Sequence, residues 1–283
     1  MRTVTFKSIL DRTFRRRGLD PTAVTATQNL LVADFVNERM RRYWQYAWWP
    51  EWTFLEERAY RPYYVSGATY STGTEVFDGT SKYYSSVQDN NTSHALTDAA
   101  WWAEISATMI KYILLDQPGY TRIGTVKNMY ATKVDAQEDK RDLTYYIDTD
   151  RIVVTDSRAG ATVWVIVQKI VPTFTTEAWS SLTSYVEGYV VYYPSTQQTQ
   201  LQGNCYRASK TSNNVEYWEL MEIPAILESA LVKGCVADYY NNDTQLERAA
   251  EINAEAQIEL DEAYSTAISQ AGLNTTIARI IVP

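Results

Sequence analysis

The apolar positions of this chain change period twice. Near the N-terminus Val4, Ile9, Leu10 and Phe14 recur at helical spacing, then give way to Arg15-Arg16-Arg17 and Gly18. Cations in a last turn followed by glycine mark a helix end, so a first helix is predicted from Val4 to Arg17. A second is predicted from Asp20-Pro21, where a carboxylate can cap and the missing proline N–H costs nothing, to about Trp48. Val32, Phe35, Val36, Met40, Tyr43 and Ala47 form its apolar stripe, and Pro50 ends it. Beyond Pro50 the period shortens to two. Trp52, Phe54 and Leu55 to Tyr60 read as a strand, as do Ile147, Ile152-Val153-Val154 and the run Val163 to Val167, with Ser157-Arg158-Ala159-Gly160 as a hairpin turn between the last two. Helical spacing returns after Pro224, over Ala225 to about Tyr240. Asn241-Asn242-Asp243 breaks it, and Thr244 is expected to cap a final helix ending near Gly272. The class is therefore α+β: a helical bundle frame from the two ends of the chain and a β-rich middle.

Inside that middle one spacing occurs twice. Tyr64, Tyr70, Gly73 and Val76 are matched by Trp179, Tyr185, Gly188 and Val191. Each set is followed by an aromatic-bearing pair (Tyr83-Tyr84; Cys205-Tyr206), a polar loop, and a closing tryptophan before Glu-Ile: Trp101, Trp102, Glu104 and Ile105 in one, Trp218, Glu222 and Ile223 in the other. A shared spacing of this length predicts two copies of one small β module. The expected organisation is a frame of 1–58 plus 224–272, modules at 60–105 and 176–223, a β domain at 106–175 and an extended arm at 273–283.

On the last helix Glu247, Glu251, Glu255 and Glu259 recur every four residues, opposite Leu246, Ala249, Ala250, Ala256, Leu260, Ala263 and Ala267. The result is an acidic stripe backed by a packing face. A solvent-facing helix side accounts for it, and in a ring of copies the same stripe would line a channel that repels DNA. Ile277, Ile280, Ile281 and Val282 form an apolar tail with no element of their own, suited to reaching a neighbour.

Composition narrows the function classes. The chain has 283 residues, 45% of them hydrophobic, with 22 Tyr and 9 Trp. Such residues suit half-buried sheet faces and subunit contacts. A formal charge of -8 argues against gripping nucleic acid through its phosphates, though not against letting DNA slide past. Arg15 to Arg17 and Arg39, Arg41 and Arg42 are read as helix-end compensation or contacts to an acidic neighbour before DNA contacts. With Cys205, Cys235 and His94 as the complete Cys/His set, a zinc site is not expected, and both thiols are expected reduced. Neither a secretory signal nor a membrane span is expected.

Reaction chemistry has no anchor. Nucleotide-binding glycine loops and the G-x-S-x-G elbow are absent, and His94 sits in a polar loop. Asp148 with Asp150, or Glu177 with Glu187, could be offered as acid–base pairs for glycoside hydrolysis, but solvated turn residues explain them more simply. No enzyme and no cofactor are expected.

The helical frame carries a resemblance. A short helix, a long helix closing in Tyr43-Trp44-Gln45-Tyr46-Ala47-Trp48-Trp49-Pro50-Glu51-Trp52, a β region, and two last helices rich in Ala and Glu are similar to the head-to-tail adaptors of tailed bacteriophages, also called connector or gatekeeper ring proteins. The resemblance implies a homo-oligomeric ring, usually of twelve copies, under the portal protein in the virion neck. Double-stranded DNA would thread it without sequence recognition, and tail or tail-completion proteins would attach below. It also implies synthesis in the host cytoplasm, with Glu247, Glu251, Glu255 and Glu259 lining the channel and Ile277, Ile280, Ile281 and Val282 lacing subunits or portal. The repeated module resembles the small chitin-binding modules of chitinases. That likeness implies glycan or partner contact through Tyr70, Tyr84 and Trp101 of the first copy and Tyr185, Tyr206 and Trp218 of the second. Copy one departs from the pattern, with Tyr64 for the leading Trp and a longer loop before Trp101. The alternative function is a soluble glycan-binding protein with two sugar-binding modules.

Overall fold

A computed structural model describes residues 2–105, 111–117, 120–133, 142–156, 162–194, 201–209, 211 and 218–270. About 33% of the chain is helical and 29% strand, an α+β protein with four helices among the described residues. It divides into two compact units, Met1–Glu51 with Val171–Pro283, and Trp52–Ile170. The arm at 273–283 and the 157–160 turn lie outside the described residues.

In the first unit, helix α1 spans Phe6–Arg16 and turns Phe6, Ile9, Leu10 and Phe14 inward. Thr5 caps it, its hydroxyl accepting the Ser8 N–H at 3.1 Å. Gly18 ends it at φ +79°, a left-handed conformation that favours glycine. The Gly18 N–H donates to the Arg15 carbonyl and the Leu19 N–H to that of Phe14, which satisfies two orphan acceptors.

Helix α2 begins later than the sequence predicts, at Ala26, and runs to Tyr46. Thr25 is its cap, because Thr25 and Gln28 exchange hydrogen bonds in both directions, whereas Asp20 has no such reciprocal partner. The Asp20 carboxylate instead accepts the Thr22 N–H and hydroxyl in the preceding turn, and these bonds lower its pKa. Proline suits that turn as well as it suits a first helical position.

Helices α3, Glu228–Asn242, and α4, Leu246–Gln270, close the unit. Thr244 is not the cap expected from the sequence. It lies at φ +61°, with its N–H on the Asn241 carbonyl and the Gln245 N–H on that of Tyr240. This is the glycine-type helix stop of α1 built on a β-branched residue, at a steric cost of about 1–2 kcal/mol. Thr244→Gly is therefore expected to raise stability by up to about 1 kcal/mol after the added backbone entropy. Urea unfolding checks this, and a lower midpoint would contradict it.

Helices α2 and α3 cross at Gly234, where a Cβ would lie 2.7 Å from the Tyr43 hydroxyl and 2.9 Å from Arg39 Cδ. That clearance lets Tyr43 donate to the Ala230 carbonyl at 3.0 Å. It also lets Arg39 reach both carboxylate oxygens of Asp238, at 2.7 and 2.6 Å, and Asn253 of α4 at 2.7 Å. The aromatic end of α2 packs on α4: Trp49 is fully buried, with its ring 5.4 Å from that of Tyr264. Residues 176–223 belong to this unit too. Phe6 stacks on Phe174 at 5.3 Å, the Lys7 N–H donates to the Gly203 carbonyl, and Thr3–Val4 pairs with Ile223–Pro224.

The second unit contains residues 53–58, which the sequence assigned to the frame. Strand Thr53–Ala59 pairs with Thr162–Lys169, which pairs in turn with Ile123–Tyr130. Arg151–Val154 pairs with Tyr145–Asp148 and Lys111–Leu114. The runs 151–154 and 162–169, expected to form one hairpin, thus lie in different sheets. Residues 60–105 do not have a core of their own. Phe77 and Tyr83 share one with Ile113, Ile152, Val163 and Val165 of the two sheets.

Candidate functional site

The repeat is visible bond by bond. In the first copy, strands Glu75–Phe77, Tyr83–Ser86 and Trp102–Ile105 form a three-stranded antiparallel sheet, and in the second Val190–Tyr192, Cys205–Ala208 and Trp218–Leu220 form another in the same order. The Tyr64 N–H donates to the Phe77 carbonyl at 2.9 Å, and the Trp179 N–H to that of Tyr192 at 2.7 Å. The Tyr70 hydroxyl accepts the Val65 N–H, as the Tyr185 hydroxyl accepts that of Ser180. Gly73 and Gly188 sit at φ +83° and +86°, each donating to the strand beside it, at the Ser86 and Ala208 carbonyls.

This register corrects the match expected from sequence in the closing strand. Ser86 faces Trp102 and Ala208 faces Trp218, so Trp102, not Trp101, is the counterpart of Trp218. Glu104 and Ile105 then correspond to Leu220 and Met221 and not to Glu222 and Ile223. Trp102 is 2% exposed and packs edge-on to Tyr64 and Tyr70. Trp101 is half-buried outside that cluster, stacked on His94 at 3.8 Å.

The six aromatics proposed for glycan or partner contact do not form an exposed row. Tyr185 and Tyr206 are each 6% exposed and belong to the interior of their module. Tyr70, Tyr84, Trp101 and Trp218 are half-buried. In the second copy the small sheet closes on its own side chains, with Trp179 and Trp218 packed against Tyr185, Val191 and Ala208, so its aromatics turn inward. The turn between the first two strands of copy one is held by Asp78, whose carboxylate accepts the N–H groups of Thr80, Ser81 and Lys82 at 2.8–3.0 Å and the Thr80 hydroxyl at 2.8 Å. Burial opposes the charged form, but these bonds outweigh it and hold the carboxyl at about 2, below its ordinary 3.8. A depressed folded value means that the stabilisation is present above about pH 4 and is lost as pH falls towards 2. Asp78→Asn should flatten the pH dependence of unfolding in that window, and an unchanged slope would contradict the assignment.

The acidic stripe does not stay on one face. A step of four residues turns about 40° past a full circle, so the row winds around α4. Glu247 and Glu251 point to solvent, but Glu255 and Glu259 have come round to Lys233 of α3, 3.1 and 2.8 Å away. Bonds from Lys233 and Ser229 lower the Glu259 pKa. The row is thus split between two faces, Glu247 and Glu251 on one and Glu255 and Glu259 beside α3. Leu246 and Ala250, assigned to the packing face, are exposed for the same rotational reason, while Ala249, Ala256, Leu260, Ala263 and Ala267 are buried.

The basic runs divide. Arg39 is buried, and although burial opposes its charge, the Asp238 carboxylate outweighs that effect and raises its pKa. Arg17 pairs with Asp243 and stacks over the Tyr240 ring at 4.1 Å, and Arg42 pairs with Glu38. Arg12, Arg15 and Arg16 remain exposed around a cleft between α1 and the start of α3.

Comparison of the chain with known protein families, curated proteins and solved structures finds no match in any of the three.

Of the acid–base candidates, Asp148 closes strand Tyr145–Asp148 and the other three sit on turns and loops. Asp148 and Asp150 flank Thr149 beside Arg151, which lies 3.8 and 3.3 Å from them. Glu177 accepts the Tyr189 hydroxyl at 2.7 Å, and the Glu187 N–H donates to Thr211. Both cysteines are buried free thiols, and burial pushes Cys205 up to about 12. No group of three metal-ligating side chains occurs among the described residues, and no helix there is long and apolar enough to cross a membrane. Neither the buried Arg39 bridge nor the cleft was singled out from sequence. An arginine run does not say which members face inward.

Proposed function

We propose that this chain is a structural virion protein, a head-to-tail adaptor whose copies form a ring that docks on the portal and joins capsid to tail, with DNA passing through its centre. The observation that carries the reading is the single helical body made by the two ends of the chain. Arg39 of α2 bridges Asp238 of α3 and Asn253 of α4, 199 and 214 residues away, so the two ends of the chain act as one assembly block. On one side α4 leaves charged and apolar groups unpartnered among the described residues, as a subunit built for large interfaces requires. The acidic balance of the whole chain, more than any single row, would keep passing DNA from adhering.

Genetic removal tests this. Particles made without the chain are expected to be filled heads lacking tails. Normally tailed, infectious particles without it would refute the proposal.

A further inference from the structure

Two surfaces of the helical unit are complementary in shape class and in charge. The first is the cleft of about 390 Å³ lined by Arg12, Arg15 and Arg16 of α1 above a mainly apolar floor of Ala225, Ile226 and Val232, with Glu228 and Ser229 beside it. Arg12 is partly engaged by Glu228, 3.0 Å away. Arg15 and Arg16 have no ion pair among the described residues; Glu259 feels the Arg16 charge, but its direct partner is Lys233.

The second is the outer strip of α4. Glu247, Glu251, Ala254, Ile258 and Glu262 follow one another at intervals of three or four, which puts them on one face, and all are exposed. Ile258 is 58% exposed, as unusual for a large aliphatic side chain as the 63% of Leu246 at the start of the helix. Glu247, Glu251 and Glu262 have no ion pair among the described residues, whereas Glu255 and Glu259, round the helix, are held by Lys233. An apolar centre with an acidic surround thus stands opposite in character to an apolar floor with a basic rim.

We infer that the Arg12/Arg15/Arg16 cleft of one copy receives the Glu247–Glu262 strip of α4 from the next, in a head-to-tail contact. Two different surfaces meeting in this way make a heterologous interface, which closes into a ring or runs on as a filament. The occupant is a second copy because the chain itself supplies both the charge and the apolar complement. A chain of net charge -8 is also poorly suited to offer that cleft to a polyanion. Closure of the assembly rests on the adaptor reading above, whereas the contact itself does not.

Charge reversal tests the contact on the full chain. Wild type at high concentration and low salt should sediment as assemblies that salt disperses. Arg12, Arg15 and Arg16→Glu in one variant, and Glu247, Glu251 and Glu262→Lys in another, should each weaken association about tenfold or more, because each then opposes like charges. An equal mixture of the two should recover it, since every contact is again between opposite charges, and so should one chain carrying all six changes. Circular dichroism of each variant separates misfolding from lost contact, and recovery in the mixture requires folded chains. A monomeric wild type, or variants that associate as well as wild type, would overturn the inference. So would association that ignores the reversals but vanishes on deleting residues 274–283, or arginine variants that associate normally and lose only DNA binding. Assembly through these surfaces by a chain absent from virion necks would sink the adaptor reading alone. Presence in necks with assembly indifferent to charge reversal would sink this contact alone.

Discussion

Arg39→Ala is expected to destabilise the helical unit by about 3–5 kcal/mol, the cost of leaving a partner carboxylate uncompensated in a partly buried site. Arg39 is 7% exposed and its guanidinium holds α2 to both closing helices, through two bonds to Asp238 and one to Asn253. Lysine should not restore the loss, because an ammonium cannot reproduce the two-oxygen grip on Asp238 and still reach Asn253. A double change, Arg39→Met with Asp238→Leu, should recover much of it, since apolar side chains of similar volume remove both desolvation penalties together. Urea unfolding followed by helical circular dichroism reads all three. A loss below about 1 kcal/mol for Arg39→Ala would place the bridge among ordinary surface pairs and contradict its role.

The second large effect separates two adjacent tryptophans. Trp102→Ala should cost about 3–5 kcal/mol, because a fully packed indole leaves a cavity that a three-stranded sheet cannot collapse to fill. Trp101→Ala should cost about 1 kcal/mol or less, since the side chain is only half-buried and its ring stacks on a His94 that is itself half-buried. Thermal unfolding of the two variants side by side is sufficient. Equal losses, or a larger loss at Trp101, would overturn the register in which Trp102 answers to Trp218.

These two sites mark where sequence reasoning succeeds and where it stops. Local chemistry was legible: Arg15 to Gly18 closes α1, apolar spacing locates the four helices of the described residues, and the Tyr-x-x-Gly-x-x-Val spacing carries the repeat. Competing local signals were harder. Asp20-Pro21 and Thr25-x-x-Gln28 both resemble a helix start, and only the reciprocal bonding of the second decides between them. Thr244 carries a capping side chain yet adopts the backbone of a helix stop. Pairing between distant segments left no trace at all. Strand Thr53–Ala59 and strand Thr162–Lys169 meet across more than a hundred residues, and each would satisfy a nearer partner equally well by pattern alone.

The candidate surfaces followed the same rule. A Glu at every fourth position suggested one straight stripe, but helical pitch winds it around α4 until Lys233 takes the last two. Arginines 39 and 15 are alike in sequence, one buried against Asp238 and the other on the rim of a cleft. Which cation serves the fold and which the surface is decided by tertiary neighbours, so the basic runs could be noticed in the sequence but not sorted.

Imaging of tailed particles that contain this chain, at a resolution where helices are separated, tests the central claim most directly. The account predicts a closed ring of copies between capsid and tail, with each α4 against the α1 side of the next copy and DNA density along the axis. Density for the chain elsewhere in the particle, or as isolated copies that make no continuous ring, would contradict it.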